Sequence, residues 1–167
     1  RAAYEREAPQ PAELHALRLR MEHEIGGERL DRSPARYDIK VGRGGIVDVE
    51  FATQWLQMRH GRDERVRTTE TETALTALET CGYLDPRLAG AMRDGWRFLR
   101  RLEQRARIAH GASVHLLEEG APGLATLARR MGLRDGPRGT VEQALLSRYV
   151  TVTRDVRAAY LAVLGLT

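Results

Sequence analysis

Apolar residues recur every three or four positions through six segments of the chain, a spacing that places them on one face of an α-helix. The predicted helices cover residues 10–25, 46–60, 69–81, 85–110, 122–131 and 140–164. Their connections are short enough for antiparallel neighbours, so the pattern predicts an all-α fold, an antiparallel helical bundle. The two longest segments have near-heptad spacing and are expected to form the spine of that bundle.

The repeating positions also indicate which helix faces turn inward. In the first two segments they are Leu14, Leu17, Met21 and Ile25, then Val47, Phe51, Trp55 and Met58. Three helix starts carry capping patterns. Thr69 with Glu72 and Thr140 with Gln143 have the spacing of a capping box, and Asp85-Pro86 places an N-cap residue before proline.

Residues 37–41 alternate between polar and apolar side chains, which predicts one short extended segment. A single strand cannot form a sheet, so we expect it to pair with something outside the chain or to lie as a loop. The chain begins with Arg1 rather than Met. We interpret residues 1–36 as a helix and loop that lead from a preceding domain, and residues 37–167 as the helical bundle domain.

Composition narrows the class of protein. The 167 residues are 42% hydrophobic and 30% charged, which is typical of a folded globular domain and not of a disordered chain. The chain contains no run of about 18 apolar residues, so the sequence does not predict a membrane span. The single cysteine, Cys81, excludes an internal disulfide framework and is compatible with a reducing compartment, so we expect a cytoplasmic protein.

The basic residues favour neither nucleic acid nor a membrane surface. Net charge is +4, but Arg alternates with Glu along the predicted helices, as on a solvated helix face, so nucleic-acid binding is not favoured. Of the 27 basic residues only Lys40 is lysine. Lysine is a compact point charge whereas arginine is a wide planar fork, so this position is a candidate for a site that does not tolerate arginine.

Lys40 and Arg43 flank a glycine-rich break that precedes the second helix. Glycine lets backbone amides approach a ligand closely, and a helix start adds positive potential, so a phosphate or carboxylate could bind there. A tight hinge between strand and helix explains the same residues equally well. The two interpretations stay open from spacing alone.

Asp48 and Glu50 are separated by one residue, which is also the spacing of the paired acids that bind magnesium in nucleotidyltransferases of the polymerase-beta type. Those acids lie on a strand and point the same way, whereas residues two apart on a helix are about 200° apart. We therefore predict that Asp48 and Glu50 do not share a metal ion, and we assign this chain no metal site and no catalytic residue.

The run from Asp38 to Gln54, Asp-Ile-Lys-x-Gly-x-Gly-Gly-Ile-x-Asp-x-Glu-Phe-x-x-Gln, is the most specific motif in the chain. It resembles the signature that follows each nucleotidyltransferase domain in glutamine-synthetase adenylyltransferases, a helical family that also occurs in the PII-uridylyltransferase. The flanking stretches 18–28, 67–71 and 98–103 resemble the neighbouring helices of that family, so the resemblance covers most of the chain.

The resemblance implies a helical substrate-binding or regulatory domain of an enzyme that adenylylates and deadenylylates glutamine synthetase. ATP and Mg²⁺ would be bound by the catalytic domain, and this chain would bind no cofactor itself. The implied partners are glutamine synthetase, the PII signal protein and the nucleotidyltransferase domain in cis. The signature positions carried over are Asp38, Lys40, Gly44, Gly45, Asp48, Glu50 and Gln54. Because the pattern leaves the Arg43 position free, Lys40 is the stronger candidate for anion binding.

Two further expectations concern the location and the class of the domain. The chain ends directly after its last predicted helix, which favours the C-terminal, adenylylating half of such an enzyme. The alternatives are a stand-alone helical module that serves a separate nucleotidyltransferase, and an Arg-rich RNA-binding bundle, which requires basic side chains gathered on one face.

Overall fold

A computed structural model describes residues 7–110, 115–137 and 139–166. Its helices are α1 (Pro11–Glu24), α2 (Ile46–Arg59), α3 (Thr71–Thr80), α4 (Pro86–His110), α5 (Leu124–Arg130) and α6 (Val141–Leu164). Two strands, β1 (Arg36–Asp38) and β2 (Leu116–Glu118), and a 3₁₀ turn at Glu64–Val66 complete the described elements. This confirms the predicted all-α bundle. Within the three described ranges, no helix is long and apolar enough to cross a membrane.

The core lies on both sides of the contact between the two long helices, α4 and α6. The first half of α4 and the second half of α6 share one apolar cluster with α2 and α3, which includes Met92, Leu75 and Tyr160. The second half of α4 and the first half of α6 share the other cluster with α5 and the strands, which includes Leu102 and Leu145. This pairing of opposite halves makes α4 and α6 antiparallel, and the two helices form the spine that their near-heptad spacing predicts.

α2 is the central helix, and side chains on most of its sides are buried. Val47 and Trp55 of the predicted stripe are buried, while Phe51 and Met58 are half-buried. Val49 and Ala52, which lie off that stripe, are fully buried as well. A helix that contacts α3, α4 and α6 at once leaves few of its positions in water.

The apolar stripe of α1 does not mark its buried face. Leu14 is buried, but the side chains of Leu17 and Ile25 are 43% and 64% exposed. The residue at the centre of the buried face is Arg18, which is 0% exposed. A charged group is rarely buried unless it is paired, so the packing of α1 depends on the partners of Arg18.

Two of the three predicted caps are confirmed. Thr140 and Gln143 form the complete capping box of α6, and the Asp85 carboxylate accepts from the amides of Arg87 and Leu88 at the start of α4. The third prediction is wrong, because α3 begins at Thr71 after a Glu70 N-cap that makes no side-chain hydrogen bond.

The carboxylate of Glu72 explains that failure. It pairs with the Arg97 guanidinium of α4, with Nε at 2.7 Å from Oε1. A carboxylate held by a neighbouring helix is not available to close a capping box on its own helix. The pairing joins α3 to α4 instead.

The predicted strand has a partner within the chain. β1 pairs antiparallel with β2, with Tyr37 opposite Leu117. The expectation that this segment pairs outside the chain or lies as a loop is therefore wrong for β1. The strand ends at Asp38, and residues 39–45, the junction loop, lead from it into α2.

Gly95 lies in α4 where that helix meets α6 most closely. A Cβ at this position would overlap a methyl group of Val156, which is fully buried on α6. Gly90, one and a half turns earlier on α4, has nothing within 4 Å of the equivalent point. Gly95 therefore permits a close helix crossing that a larger residue would push apart.

We predict that Gly95→Ala lowers the free energy of unfolding by about 1–3 kcal/mol, because the added methyl group overpacks the crossing. Gly90→Ala is the matched control, and it should raise that free energy by about 0.5–1 kcal/mol through helix propensity. Urea denaturation followed by circular dichroism measures both. Equal effects of the two substitutions would contradict the close crossing, and adding Val156→Ala should reduce the loss in Gly95→Ala.

Candidate functional site

Asp38 fixes the beginning of the junction loop. Its Oδ1 accepts from the amides of Lys40 at 2.9 Å and Val41 at 2.8 Å, and its Oδ2 accepts from the amide of Gly27 at 3.1 Å. Its carbonyl oxygen accepts from the Tyr149 hydroxyl of α6 at 3.1 Å. Asp38 is only 5% exposed, so its role in this chain is to turn the backbone out of β1.

Glu28 supports the same loop from the opposite side. Its carboxylate accepts from the amides of Asp38 at 3.3 Å and Arg43 at 3.1 Å. Burial raises the pKa of the Glu28 carboxyl, and the two amide hydrogen bonds oppose that rise. Glu28 was not predicted as a site residue, because a single glutamate in a polar loop has no distinctive spacing from other residues.

Gly44 and Gly45 bring the junction loop into contact with α6 and with itself. Gly44 has a φ of +73°, and a Cβ there would overlap the carbonyl oxygen of Thr153. Gly45 is the N-cap of α2, where a Cβ would lie 2.8 Å from the carbonyl oxygens of Ile39 and Lys40. Both glycines are therefore required by close approach, as a tight hinge would need.

The backbone amides of this segment are already occupied. Every N–H from Lys40 to Asp48 donates to an acceptor within the chain. Four of these hydrogen bonds end on carboxylate oxygens of Asp38, Glu28 and Asp48. The glycine-rich loop does bind anions through its amides, and those anions are neighbouring side chains of the same chain. Binding of an external anion here would have to use the side chains of Lys40 and Arg43.

Asp48 lies in the first turn of α2 and is fully buried. Its Oδ1 is 2.5 Å from Nε of Arg18, and its Oδ2 is 3.0 Å from Nη1 of Arg157. The same Oδ2 accepts from the Gly44 amide at 2.9 Å. A carboxylate in the first turn of a helix is also stabilised by the helix dipole. Asp48 therefore joins three helices, α1, α2 and α6, to the junction loop.

Arg18 and Arg157 complete this buried ion network. Nη2 of Arg18 donates to the carbonyl oxygens of Val41 at 2.7 Å and Gly42 at 2.8 Å. Glu22 lies 3.3 Å from Arg18 and 3.2 Å from Arg157. Two arginines and two carboxylates give a formally neutral group. The sequence placed Arg18 and Glu22 in a flanking motif, but no local pattern indicated that they meet Arg157.

The positions of Asp48 and Glu50 agree with the helical interpretation. Both lie in α2, where Asp48 is buried against two guanidinium groups and Glu50 is half-buried on a different side. No group of three or more His, Cys, Asp or Glu side chains in the described part of the chain could hold a metal ion. The two cations beside Asp48 would also repel a metal ion there.

Three members of the signature do not contribute to these buried contacts. The side chains of Lys40 and Gln54 are exposed, and Glu50 is half-buried. Glu50 and Gln54 are four residues apart on α2 and therefore share a face. Burial raises the pKa of the Glu50 carboxyl, while the charges of Arg100 and Lys40 oppose the rise. Lys40, Glu50 and Gln54 form what we call the exposed signature face; Arg43 is exposed elsewhere on the junction loop.

A second buried carboxylate, Glu103 of α4, lies near this face. It is 3% exposed and is 2.6 Å from Arg100, 3.8 Å from Arg107 and 3.6 Å from the Nδ1 of His115. The carbonyl oxygen of His115 in turn accepts from the Ile39 amide at 2.7 Å. Glu103 thus lies beside the residue that precedes β2, and the backbone of that residue contacts the junction loop. No spacing in the sequence connects positions 39, 103 and 115.

We predict that Asp48→Ala lowers the free energy of unfolding by about 3–5 kcal/mol, because it leaves two buried guanidinium groups without their shared carboxylate. Urea denaturation followed by tryptophan fluorescence measures the loss. Asp155→Ala is the control, since Asp155 forms an exposed pair with Arg154 that should contribute no more than about 1 kcal/mol. Similar small losses in both variants would show that the buried network does not hold the helices together.

Comparison with known proteins places this arrangement in a family. The family model described as GlnD PII-uridylyltransferase matches residues 13–164. The bifunctional glutamine synthetase adenylyltransferase/adenylyl-removing enzyme of Cutibacterium acnes is 38% identical over 123 residues, which is 73% of this chain and 12% of that protein.

Two further relatives carry the same name. The enzyme of Xanthobacter autotrophicus is 35% identical over 142 residues, 84% of this chain and 14% of that protein. The enzyme of Streptomyces avermitilis is 34% identical over 144 residues, 86% of this chain and 14% of that protein. The chain thus spans about one eighth of the length of these relatives. On the match across residues 13–164, the chain belongs to the GlnD PII-uridylyltransferase family, as the resemblance in its signature implies.

Proposed function

We propose that this chain is the helical domain that follows a nucleotidyltransferase domain in a bifunctional glutamine synthetase adenylyltransferase/adenylyl-removing enzyme. Residues 1–36 would lead from the catalytic domain and residues 37–167 would form the bundle. The names of the relatives support the enzyme class, and the 12–14% of their length that the chain covers supports a single domain of it. Within that enzyme we assign the chain to the C-terminal, adenylylating half, and we expect the enzyme to act in the cytoplasm.

The observation that carries this proposal is the division of the signature into two sets of residues. Asp38, Gly44, Gly45 and Asp48 are buried, and their contacts explain why the fold needs them. Lys40, Glu50 and Gln54 lie on the exposed signature face instead. Their side chains form no hydrogen bond or salt bridge within the described part of the chain. Residues of a family signature that the fold does not use are candidates for contact with another domain or a substrate.

Lys40 is the member of this face best suited to contact a nucleotide. Its ammonium group is exposed and has no salt bridge to the described residues. Its backbone is nevertheless fixed, since its amide donates to Asp38 and its carbonyl oxygen accepts from Val47. A charge on a rigid base can be directed at a phosphate group without first ordering the loop. We propose that it reaches the catalytic cleft, next to ATP and Mg²⁺ bound by the preceding domain.

Glu50 and Gln54 would then face the catalytic domain beside Lys40. A half-buried carboxyl with a raised pKa and an exposed amide can both accept hydrogen bonds from a neighbouring domain. Glutamine synthetase would be the acceptor of the nucleotide, and the PII protein would act on the complete enzyme. In this arrangement the bundle holds the junction rigid while the catalytic carboxylates come from outside the chain.

The arginines of the bundle give little support to RNA binding. Arg18 and Arg157 are buried, and Arg93 and Arg97 pair with glutamates of α3. Because these four guanidinium groups face carboxylates of the same chain, they are poorly placed to form an extended basic face for RNA.

We predict that Lys40→Ala lowers kcat/KM for adenylyl transfer at least tenfold, or about 1.4 kcal/mol of transition-state stabilisation. The assay uses the longest polypeptide of the proposed enzyme that contains this chain, ATP labelled on its α-phosphate, and glutamine synthetase as acceptor. Lys40→Arg keeps the charge on a wider head group, and it should recover only part of the activity if the site needs a compact cation.

Arg62→Ala, at an exposed arginine of the loop after α2, is the matched control for loss of a surface charge and should leave kcat/KM unchanged. Thermal unfolding of Lys40→Ala should lie close to that of the unsubstituted protein, because the side chain forms no hydrogen bond or salt bridge within the described part of the chain and interacts only at a distance with the charge of Glu50. Normal kcat and KM for ATP in Lys40→Ala would overturn the role of Lys40. Absence of any transfer to glutamine synthetase by the unsubstituted protein would overturn the proposed function itself.

A further inference from the structure

A small hollow on the outer side of the contact between α4 and α6 gathers three arginines. Its volume is about 270 Å³, and it is lined by Asp94, Arg97, Phe98, Arg101, Met131 and Arg148. None of these residues belongs to the signature or touches the buried network of Asp48. We propose that this basic hollow binds a phosphate group, as free phosphate or as the phosphate of a monoester.

The charges in the hollow are only partly compensated by the protein. Arg97 pairs with Glu72 of α3 and lies 4.0 Å from Asp94, whose side chain is 83% exposed. Within the described part of the chain, Arg101 and Arg148 have no carboxylate partner. In this respect Arg101 differs from Arg93 and Arg100 of the same helix, which are both paired with glutamates.

The spacing of these arginines is unfavourable without an anion. Arg97 and Arg101 are four residues apart on one helix, where like charges destabilise each other, and Arg148 adds a third positive charge from α6. A dianion between the guanidinium groups would reverse the sign of these interactions. Binding of phosphate should therefore stabilise the contact between the two long helices.

Arg148 is held in place by an aromatic ring. Its Cζ lies 5.1 Å from the centroid of Phe98, which is 7% exposed, so a guanidinium group stacks on a nearly buried ring. This cation–π contact holds the guanidinium group over the ring, and its N–H donors can still donate to a phosphate oxygen. The ring face is occupied by Arg148, so the hollow does not offer it to a nucleobase.

These features suit a phosphate group. Guanidinium groups donate to phosphate in pairs, and a hollow of about 270 Å³ has room for one phosphate group together with part of its ester. A nucleic-acid strand would need cations spaced along a track. This inference does not depend on the proposed adenylyl transfer, because none of the hollow's residues takes part in the exposed signature face.

The test is isothermal titration calorimetry, in which the heat of binding is measured as inorganic phosphate, AMP or adenosine is added to the 167-residue chain at constant ionic strength. We expect phosphate and AMP to bind and adenosine not to bind, which would assign the interaction to the phosphate group. The variant Arg101→Gln/Arg148→Gln should bind both at least tenfold more weakly. The matched control, Arg62→Gln/Arg154→Gln, removes two exposed arginines outside the hollow and should bind like the unsubstituted chain.

A thermal scan provides an independent measurement, because phosphate should raise the unfolding midpoint of the unsubstituted chain more than chloride at equal ionic strength. No binding of phosphate or AMP by the unsubstituted chain would overturn the proposal. Equal binding by the Arg101→Gln/Arg148→Gln variant would overturn it as well, and so would binding of adenosine as tight as that of AMP.

Discussion

The carboxylate of Asp48, buried between Arg18 and Arg157, is the interaction on which the rest of the structure depends. It joins α1 and α6 to the first turn of α2, and through the Gly44 amide it fixes the junction loop. Each buried ion is costly by itself, so each member of the group requires the others to be in place. Because of this mutual requirement, α1, α2, α6 and the junction loop take up their relative positions cooperatively and not independently.

The same constraint explains the glycines and acids of the signature. A loop that must supply its amides to Asp38, Glu28 and Asp48 has to fold tightly, and Gly44 and Gly45 allow it to approach Thr153 and its own carbonyl groups. The glycine-rich pattern therefore does indicate a loop whose backbone amides bind anions, but the anions are internal carboxylates and not an external ligand. Internal carboxylates take the place that a ligand occupies in open loops of this type.

The rigid junction loop also fixes the positions of the signature residues that are exposed. Lys40, Glu50 and Gln54 stand on elements that are fixed by buried hydrogen bonds, yet their own side chains remain available. The carbonyl oxygen of His115, which lies beside Glu103 of α4, holds the Ile39 amide on another side of the loop. The bundle thus presents the exposed signature face on a fixed backbone, whereas the basic hollow on α4 and α6 is a separate surface of the same helices.

Local sequence determined which segments are helical, where the long helices begin, and that Asp48 and Glu50 lie on different sides of a helix. These properties follow from periodicity and capping within a few residues, as Asp85-Pro86 and the Thr140 box illustrate. The signature also determined the family, because its spacing is long and specific. Only the tertiary structure decided what the signature does in this chain. Arg18 and Arg157 meet Asp48 from 30 and 109 residues away, and β1 meets a strand about eighty residues later. No local pattern encodes such encounters, because they depend on how complete helices pack and on which buried charge finds its partner.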